Sequence, residues 1–213
     1  MELKYNKLLY IEKTIAKELF ENANHPWEVL DKINDYILKV GPTLGYTEIK
    51  ENVWVGSNVT ISETSTINGP AIIGDNTEIR HAAFIRGNAI IGNNCVIGNS
   101  TEIKNAILFD NCECPHFNYI GDAILGYKAH TGAGVILSNV KNDKKNIKIS
   151  NIDTGLRKLS AIVGNNVEIG CNSVLCPGTI IYENTSIYPL TRVRGIIEDN
   201  MIVKDMNNII KKN

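Results

Sequence analysis

Ala71 to Asn94 read AIIGDNTEIRHAAFIRGNAIIGNN, and within them Ile73, Ile79, Ile85 and Ile91 fall at every sixth residue. Counting outward adds Val55, Ile61 and Ile67 on one side and Ile97, Ile103 and Phe109 on the other. A second run gives Val163, Ile169, Leu175, Ile181, Ile187 and Val193. If about three residues in ten are large and apolar, ten in a row arise by chance on the order of once in 10^5 registers. Four residues after each member of the first run stand Val59, Ser65, Ala71, Thr77, Ala83, Ala89, Cys95, Thr101, Ile107 and Glu113, which are mostly small. Large and small inward positions therefore alternate. Gly-x-Asn steps at Gly56, Gly74, Gly92 and Gly164 supply residues that tolerate a left-handed backbone and mark corners. A short strand and a corner every six residues describe a mainly β solenoid whose coils share one core. A sandwich of period-two strands does not hold a six-residue register this long.

The count then changes. Phe109 is on it, position 115 is Pro115, and it resumes at Tyr119, Leu125, Thr131 and Leu137, which sets a break at His116. An irregularity in a solenoid re-aims side chains, so this histidine draws notice. Residues before about Tyr46 lack the count altogether. Leu8, Ile11, Ile15, Leu19 and Phe20 fit one helical face, and a second helix starting at Pro26 would bury Val29, Leu30, Ile33 and Ile37. The chain thus divides into a helical cap at 1–45 and the solenoid at 46–213, and the helices are expected to cover the open first coil, where an exposed strand edge invites aggregation. Residues 138–160 are polar and carry KNDKKNIK at Lys141 to Lys148, so they should project as a functional loop. The tail after Ile196 should close with a strand and a short helix.

Composition narrows the function. A formal net charge of -1 and a pI near 6.4 offer no basic excess for nucleic acid or an anionic membrane. No run of 18 apolar residues occurs, and MELKYNKLLY has no secretory pattern, so a cytoplasmic location is expected. Five cysteines with no CxxC pair suit reduced thiols and argue against a zinc ribbon.

Arg86 and Lys104 each follow a large inward residue and are 18 residues apart, one coil if three hexapeptides make a turn. They would stack at about 4.8 Å, where two cations repel by roughly 3 kcal/mol at an effective dielectric of 20. Such a pair either binds an anion or splays into solvent, and Lys144 and Lys145 add charge nearby. An exposed imidazole at His116 could act as a general base or be structural.

Glu102 to Asn139, EIKNAILFDNCECPHFNYIGDAILGYKAHTGAGVILSN, resembles the active-site region of the hexapeptide-repeat acyltransferases. Within that family it is most similar to the glucosamine-1-phosphate acetyltransferase domain of the bifunctional UDP-N-acetylglucosamine pyrophosphorylase/acetyltransferase. The His-x-x-Tyr-x-Gly-Asp motif is matched by His116, Tyr119, Gly121 and Asp122. The resemblance implies a triangular left-handed parallel β-helix, although the general rule for parallel crossovers would predict the right-handed form. It also implies acetyl-CoA as cosubstrate, a hexosamine 1-phosphate as acceptor, and a homotrimer with sites between subunits. His116 would be the catalytic base, and Arg86, Lys104, Tyr119 and Asn139 would hold the sugar phosphate. Lys145 matches a phosphate-side lysine by counting through a variable loop. Ala133 corresponds to a backbone amide at the thioester, and Cys171 to a serine beside acetyl-CoA.

Two departures stand out. His130 replaces a substrate-binding asparagine, and imidazole lacks the donor and acceptor pattern of an amide. No LxxGxGTRM-type nucleotide loop occurs in these residues, so no pyrophosphorylase activity is expected of them. No metal site is implied. A zinc-dependent carbonic anhydrase on the same fold would use His81 and His116 but lacks a third histidine soon after. A sugar-phosphate-binding scaffold without turnover is the other alternative, with His130 as its sign.

Overall fold

The computed structural model describes residues 8–212. They form a left-handed parallel β-helix of about eight turns, with short helices near the N-terminus. Each coil contributes one short strand to each of three faces. On the first face the large inward residues run Ile73, Ile91, Leu108, Leu125, Val163 and Ile181, each paired in parallel with the next. The second face runs Ile61, Ile79, Ile97 and Cys114, and the third runs Ile67, Ile85, Ile103, Ile120, Leu137, Leu175 and Val193. From Ile79 onward these side chains are almost fully buried, each worth about 1.5–3 kcal/mol of hydrophobic stabilisation.

The break in the count is real but lies on either side of His116. Ile103 to Leu108 is five residues, and so is Ile120 to Leu125. At these two corners Lys104-Asn105 and Gly121-Asp122 do what Arg86-Gly87-Asn88 does one coil earlier, with Asn105 at φ 46° and Asp122 at φ 50°. The shortened corner lets the chain pass between the third and first faces without interruption, giving the seven-residue strands Glu102–Leu108 and Tyr119–Leu125. Four expectations are corrected by this slip, the first being that Ala106, not Ile107, fills the small inward position of its coil. Leu108, not Phe109, is the inward residue. Cys112, not Glu113, fills the small inward position, and Ile120, not Tyr119, resumes the series. Phe109 is buried outside the coil instead, with its ring 5.5 Å from that of Phe20.

Pro26 opens a 3-10 turn, Pro26–Lys32, that leads into the helix Ile33–Val40, and Val29, Leu30, Ile33 and Ile37 are buried as expected. Among the described residues the upstream segment forms the turn Ile11–Lys13 and the short helix Lys17–Glu21. These elements do not close the first coil. They run along the first face, from Tyr10, whose hydroxyl donates to Glu183 at 2.7 Å, past Asn34, which donates to Asn88 at 2.9 Å, to Gly41 against the ring of Trp54. The reason is visible in the outward residues of that face. Trp54, Ile72, Ile90, Ile107, Ile124, Ile162 and Ile180 make an apolar column that water would otherwise meet, and all are buried.

The strand edges are closed by other means. Thr47–Lys50 pairs antiparallel with Val53–Val55 at one end, and Asn208–Lys211 folds back on Met201–Asp205 at the other. The expected terminal helix is thus a strand. Residues 138–160 leave the body after Ile136–Leu137 and return at Ala161–Val163, carrying a small hairpin of Lys148–Ile149 and Ile152–Asp153. Ile147, Ile149 and Leu159 tie this insertion back to the solenoid through their burial. No helix among the described residues is long and apolar enough to cross a membrane.

Candidate active site

The candidates gather on the two corners that border the third face. At one corner His116, Ala133 and Cys171 stack in successive coils, because Gly134 N–H donates to the His116 carbonyl at 3.0 Å and Asn172 N–H donates to that of Ala133 at 2.8 Å. The residues after them, Phe117, Gly134 and Asn172, have φ values of 52°, 74° and 56°, the left-handed turn that points the preceding side chain outward. The buried Asn118 fixes this corner by accepting from His116 N–H at 3.2 Å and donating to the Gly132 carbonyl at 2.8 Å. The His116 imidazole itself is exposed, and among the described residues it makes no hydrogen bond. The Ala133 N–H is likewise without a hydrogen-bond acceptor among the described residues.

The other corner carries the charges. Arg86 and Lys104 stack as expected, with Arg86 N–H donating to the Ile103 carbonyl at 2.8 Å. Their repulsion is not left for a ligand alone to relieve, which corrects the simplest reading of the pair. Arg86 Nη1 lies 2.7 Å from Glu102 Oε1, and Lys104 Nζ lies 3.5 Å from Asp122 Oδ2. The Glu102 hydrogen bond raises the Arg86 pKa further. That pair is exposed, so it contributes little and yields readily to another anion. Asp122 is different because it is buried and held from three sides. Asn105 Nδ2 donates to its Oδ1 at 3.0 Å, and Asn139 Nδ2 donates to its Oδ2 at 2.6 Å. Asn139 also donates to the Tyr119 hydroxyl at 3.1 Å. Burial first, then the charges of Asp122 and Glu102, push the Tyr119 pKa up, so this phenol stays neutral and keeps a proton to donate. Its ring folds over Gly121, where a Cβ would lie 2.5 Å from the hydroxyl oxygen.

Residues 67–188 match the family model described as the GMPPB C-terminal domain. The chain belongs to that family. The GMPPB C-terminal domain match covers the third face from Ile67 to Leu175 and the corner residues from Arg86 to Cys171. Among similar proteins is the bifunctional protein GlmU of Methanococcus maripaludis strain C7, 42% identical over 205 residues, covering 91% of this chain and 49% of that protein. The bifunctional sugar-1-phosphate nucleotidylyltransferase/acetyltransferase of Sulfurisphaera tokodaii is 33% identical over 94 residues, or 42% of this chain and 23% of that one. The chain spans about half the length of the GlmU proteins it matches. Among solved structures, a point mutant of AntD, an N-acyltransferase from Bacillus cereus in complex with dTDP and coenzyme A, aligns with TM-score 0.37 and 20% identity over 79% of this chain and 90% of that one.

Within this member of the GMPPB C-terminal domain family, Arg86, Lys104, Tyr119 and Asn139 meet at one corner and His116, Ala133 and Cys171 at the other. His130 and Lys145 stand apart. His130 lies on the second face between Glu113 and Glu168, with Nδ1 2.7 Å from Glu168 Oε2. Lys145 is exposed in the insertion, its N–H on Asp143 Oδ1 at 3.1 Å. His81 and His116 are separated by the coil of Asn99, and His81 Nδ1 is 2.7 Å from Thr64 Oγ1. Among the described residues no three His, Cys, Asp or Glu side chains converge as metal ligands.

Sequence reasoning did not single out Asn105, Glu102 or the pivotal part played by Asp122. The five-residue spacing from Ile103 to Leu108 was the available signal. Replacing Asp122 by Asn keeps its shape and its tolerance of positive φ, but removes one acceptor and the charge facing Lys104. We expect a loss of about 1–2 kcal/mol, read from the urea midpoint.

The thiols divide sharply. Burial pushes the Cys95, Cys112 and Cys114 thiols up, that of Cys114 to about 12, whereas Cys171 is exposed and Cys176 half-buried. A maleimide should therefore label Cys171 and then Cys176 in the native protein, with the other three reacting only after denaturation. Mass spectrometry of the labelled peptides checks this.

Proposed function

We propose that this chain transfers the acetyl group of acetyl-CoA to the amine of a hexosamine 1-phosphate, glucosamine 1-phosphate in the first instance. The observation that supports this best is the pairing across one face of an exposed imidazole that makes no hydrogen bond among the described residues and a cationic corner whose polar groups are already in place. Arg86 and Lys104 bind the phosphate, which displaces the half-buried Glu102 from Arg86. Tyr119 and Asn139 orient the sugar hydroxyls. His116 takes a proton from the amine, and the nitrogen attacks the thioester carbonyl. The Ala133 N–H donates to the developing oxyanion, a contact worth a few kcal/mol. As the carbon–sulfur bond breaks, coenzyme A leaves as the thiol, carrying the proton that His116 had taken. Cys171 lies along the same edge and contacts the thioester arm.

Acetyl transfer alone is assigned to these residues, since they carry no Gly-rich nucleotide loop. His130 and Lys145, distant from the cluster in their own chain, are assigned to the acceptor site of a neighbouring copy in a homotrimer. Exposed Phe84, Phe117, Ile136 and Leu190, on or beside the third face, support burial of that face against such a copy. Thiol release from acetyl-CoA, followed with a panel of hexosamine 1-phosphates, tests the reading. Turnover with one of them identifies the acceptor. Absence of turnover with every acceptor, in protein shown to be folded, overturns it in favour of a sugar-phosphate-binding scaffold.

A further inference from the structure

The corner that carries His116 continues toward the N-terminus through two further polar residues. One coil before His116 stands Asn99, its partner in register, and one coil before that stands His81. Ser100 N–H donates to the His81 carbonyl at 3.2 Å, and Phe117 N–H donates to that of Asn99 at 2.8 Å. The three residues thus make a ladder that rises by about 4.8 Å per coil. Each is followed by a left-handed residue, Ala82 at φ 54°, Ser100 at φ 53° and Phe117 at φ 52°, so all three side chains leave the corner from the same backbone geometry.

Asn99 and His81 are each tied down on one side and open on the other. Asn99 is half-buried, and its Oδ1 accepts from the Ser100 hydroxyl at 2.6 Å. Its Nδ2 makes no hydrogen bond among the described residues, so this amide presents a donor beside the imidazole of His116. His81 is exposed, with Nδ1 2.7 Å from Thr64 Oγ1, and its Nε2 is likewise unbonded among the described residues.

Two observations indicate what these groups face. Arg86 and Lys104 sit on the coils of His81 and Asn99, at the opposite corner of the same face, joined to them through Phe84–Ile85 and the strand Glu102–Leu108. A phosphate held between Arg86 and Lys104 therefore sets its sugar over these two coils. Ala133 and Cys171 continue the ladder in the other direction, and that side is assigned to the thioester, which leaves the N-terminal side of His116 to the acceptor. In a 2-amino sugar 1-phosphate the amine is flanked by the carbon that bears the phosphate and by the 3-hydroxyl. With the phosphate at the charged corner and the amine at His116, the 3-hydroxyl is the next group along this corner. Tyr119 lies on the face between the corners and Asn139 at the charged one, so neither replaces Asn99 there.

We propose that Asn99 is a specificity-determining residue of the acceptor site, donating from Nδ2 to the 3-hydroxyl of a 2-amino-2-deoxyhexose 1-phosphate. The placement of the amine rests on the acetyl-transfer reading, but the contact is tested by binding, which needs no turnover.

Calorimetric titration of the whole chain compares glucosamine 1-phosphate with its 3-deoxy analogue. The parent should bind the analogue about tenfold more weakly, and this comparison needs no variant. Asn99→Ala should bind the two ligands alike, at about the weaker affinity. A residue that only held the corner would lower both affinities together and leave their ratio unchanged. His81→Ala should keep the parent's ratio. Equal binding of the two ligands by the parent, a parent-like ratio in Asn99→Ala, or a ratio lost in His81→Ala overturns the proposal. Absence of thiol release with the calorimetric pattern intact would overturn the acetyl-transfer reading and leave the Asn99 contact standing. Turnover without that pattern would do the reverse, and failure of the folded parent to bind either sugar phosphate would overturn both.

Discussion

His116→Ala should lower the rate of acetyl transfer by about 100-fold to 10,000-fold, the usual worth of a general base. That loss corresponds to about 3–5 kcal/mol of transition-state stabilisation. The same substitution should leave folding almost untouched, within about 0.5 kcal/mol, because the imidazole is exposed and bonded to no described residue. The corner is held instead by Asn118, through the backbone of His116 and Gly132. KM for the sugar phosphate should change little, since Arg86, Lys104, Tyr119 and Asn139 all remain. The combination to look for is a collapsed kcat with an unaltered melting temperature. A variant that keeps more than about a tenth of the parent rate would remove His116 from the role of base.

Gly98→Ala should be the most destabilising single methyl in the solenoid. Gly98 is buried at the crossing of two coils, and a Cβ there would overlap the backbone of Pro115, at its carbonyl oxygen, carbonyl carbon and Cα. No flexible side chain can move aside, so the coils must part. Overpacking of this kind costs about 3 kcal/mol. For a chain of this length that lowers the melting temperature by about 6–12 °C. Pro115 carries His116, and the displaced coil should also lower turnover by more than the stability loss alone explains. Gly195→Ala serves as the control, because a Cβ there meets nothing within 4 Å and only its φ of 84° resists the change. Its cost should be about 1 kcal/mol. Equal melting temperatures for the two variants would mean that the coil crossing is looser than its geometry indicates.

The site was legible to different depths. Arg86 and Lys104 could be paired from an 18-residue spacing because a solenoid converts sequence distance directly into height. His116, Ala133 and Cys171 were suggested by motif, and their stacking on one edge follows from the coil register. Asp122 was visible only as a letter of that motif. Its burial depends on the shortened corner: one missing residue at Asn105 moved the inward series to Leu108, Cys112 and Ile120, and another near Asp122 moved it on to Leu125. A strict count of six carried through to Phe109 could not show this, because Phe109 is also large, apolar and buried, although by the helical segment rather than by the coil.

The sequence by itself determined the solenoid, its corners and most of its inward residues, since a fixed period of large side chains has only one economical way to bury them. Tertiary structure alone decided what lies outside the coil. The helical segment runs along the first face rather than over its end because an apolar column from Trp54 to Ile180 there excludes more water than one open strand edge could. The insertion brings Lys148 beside Arg192 and Arg194 because burying Ile147 and Ile149 against the solenoid fixes where its charges must sit.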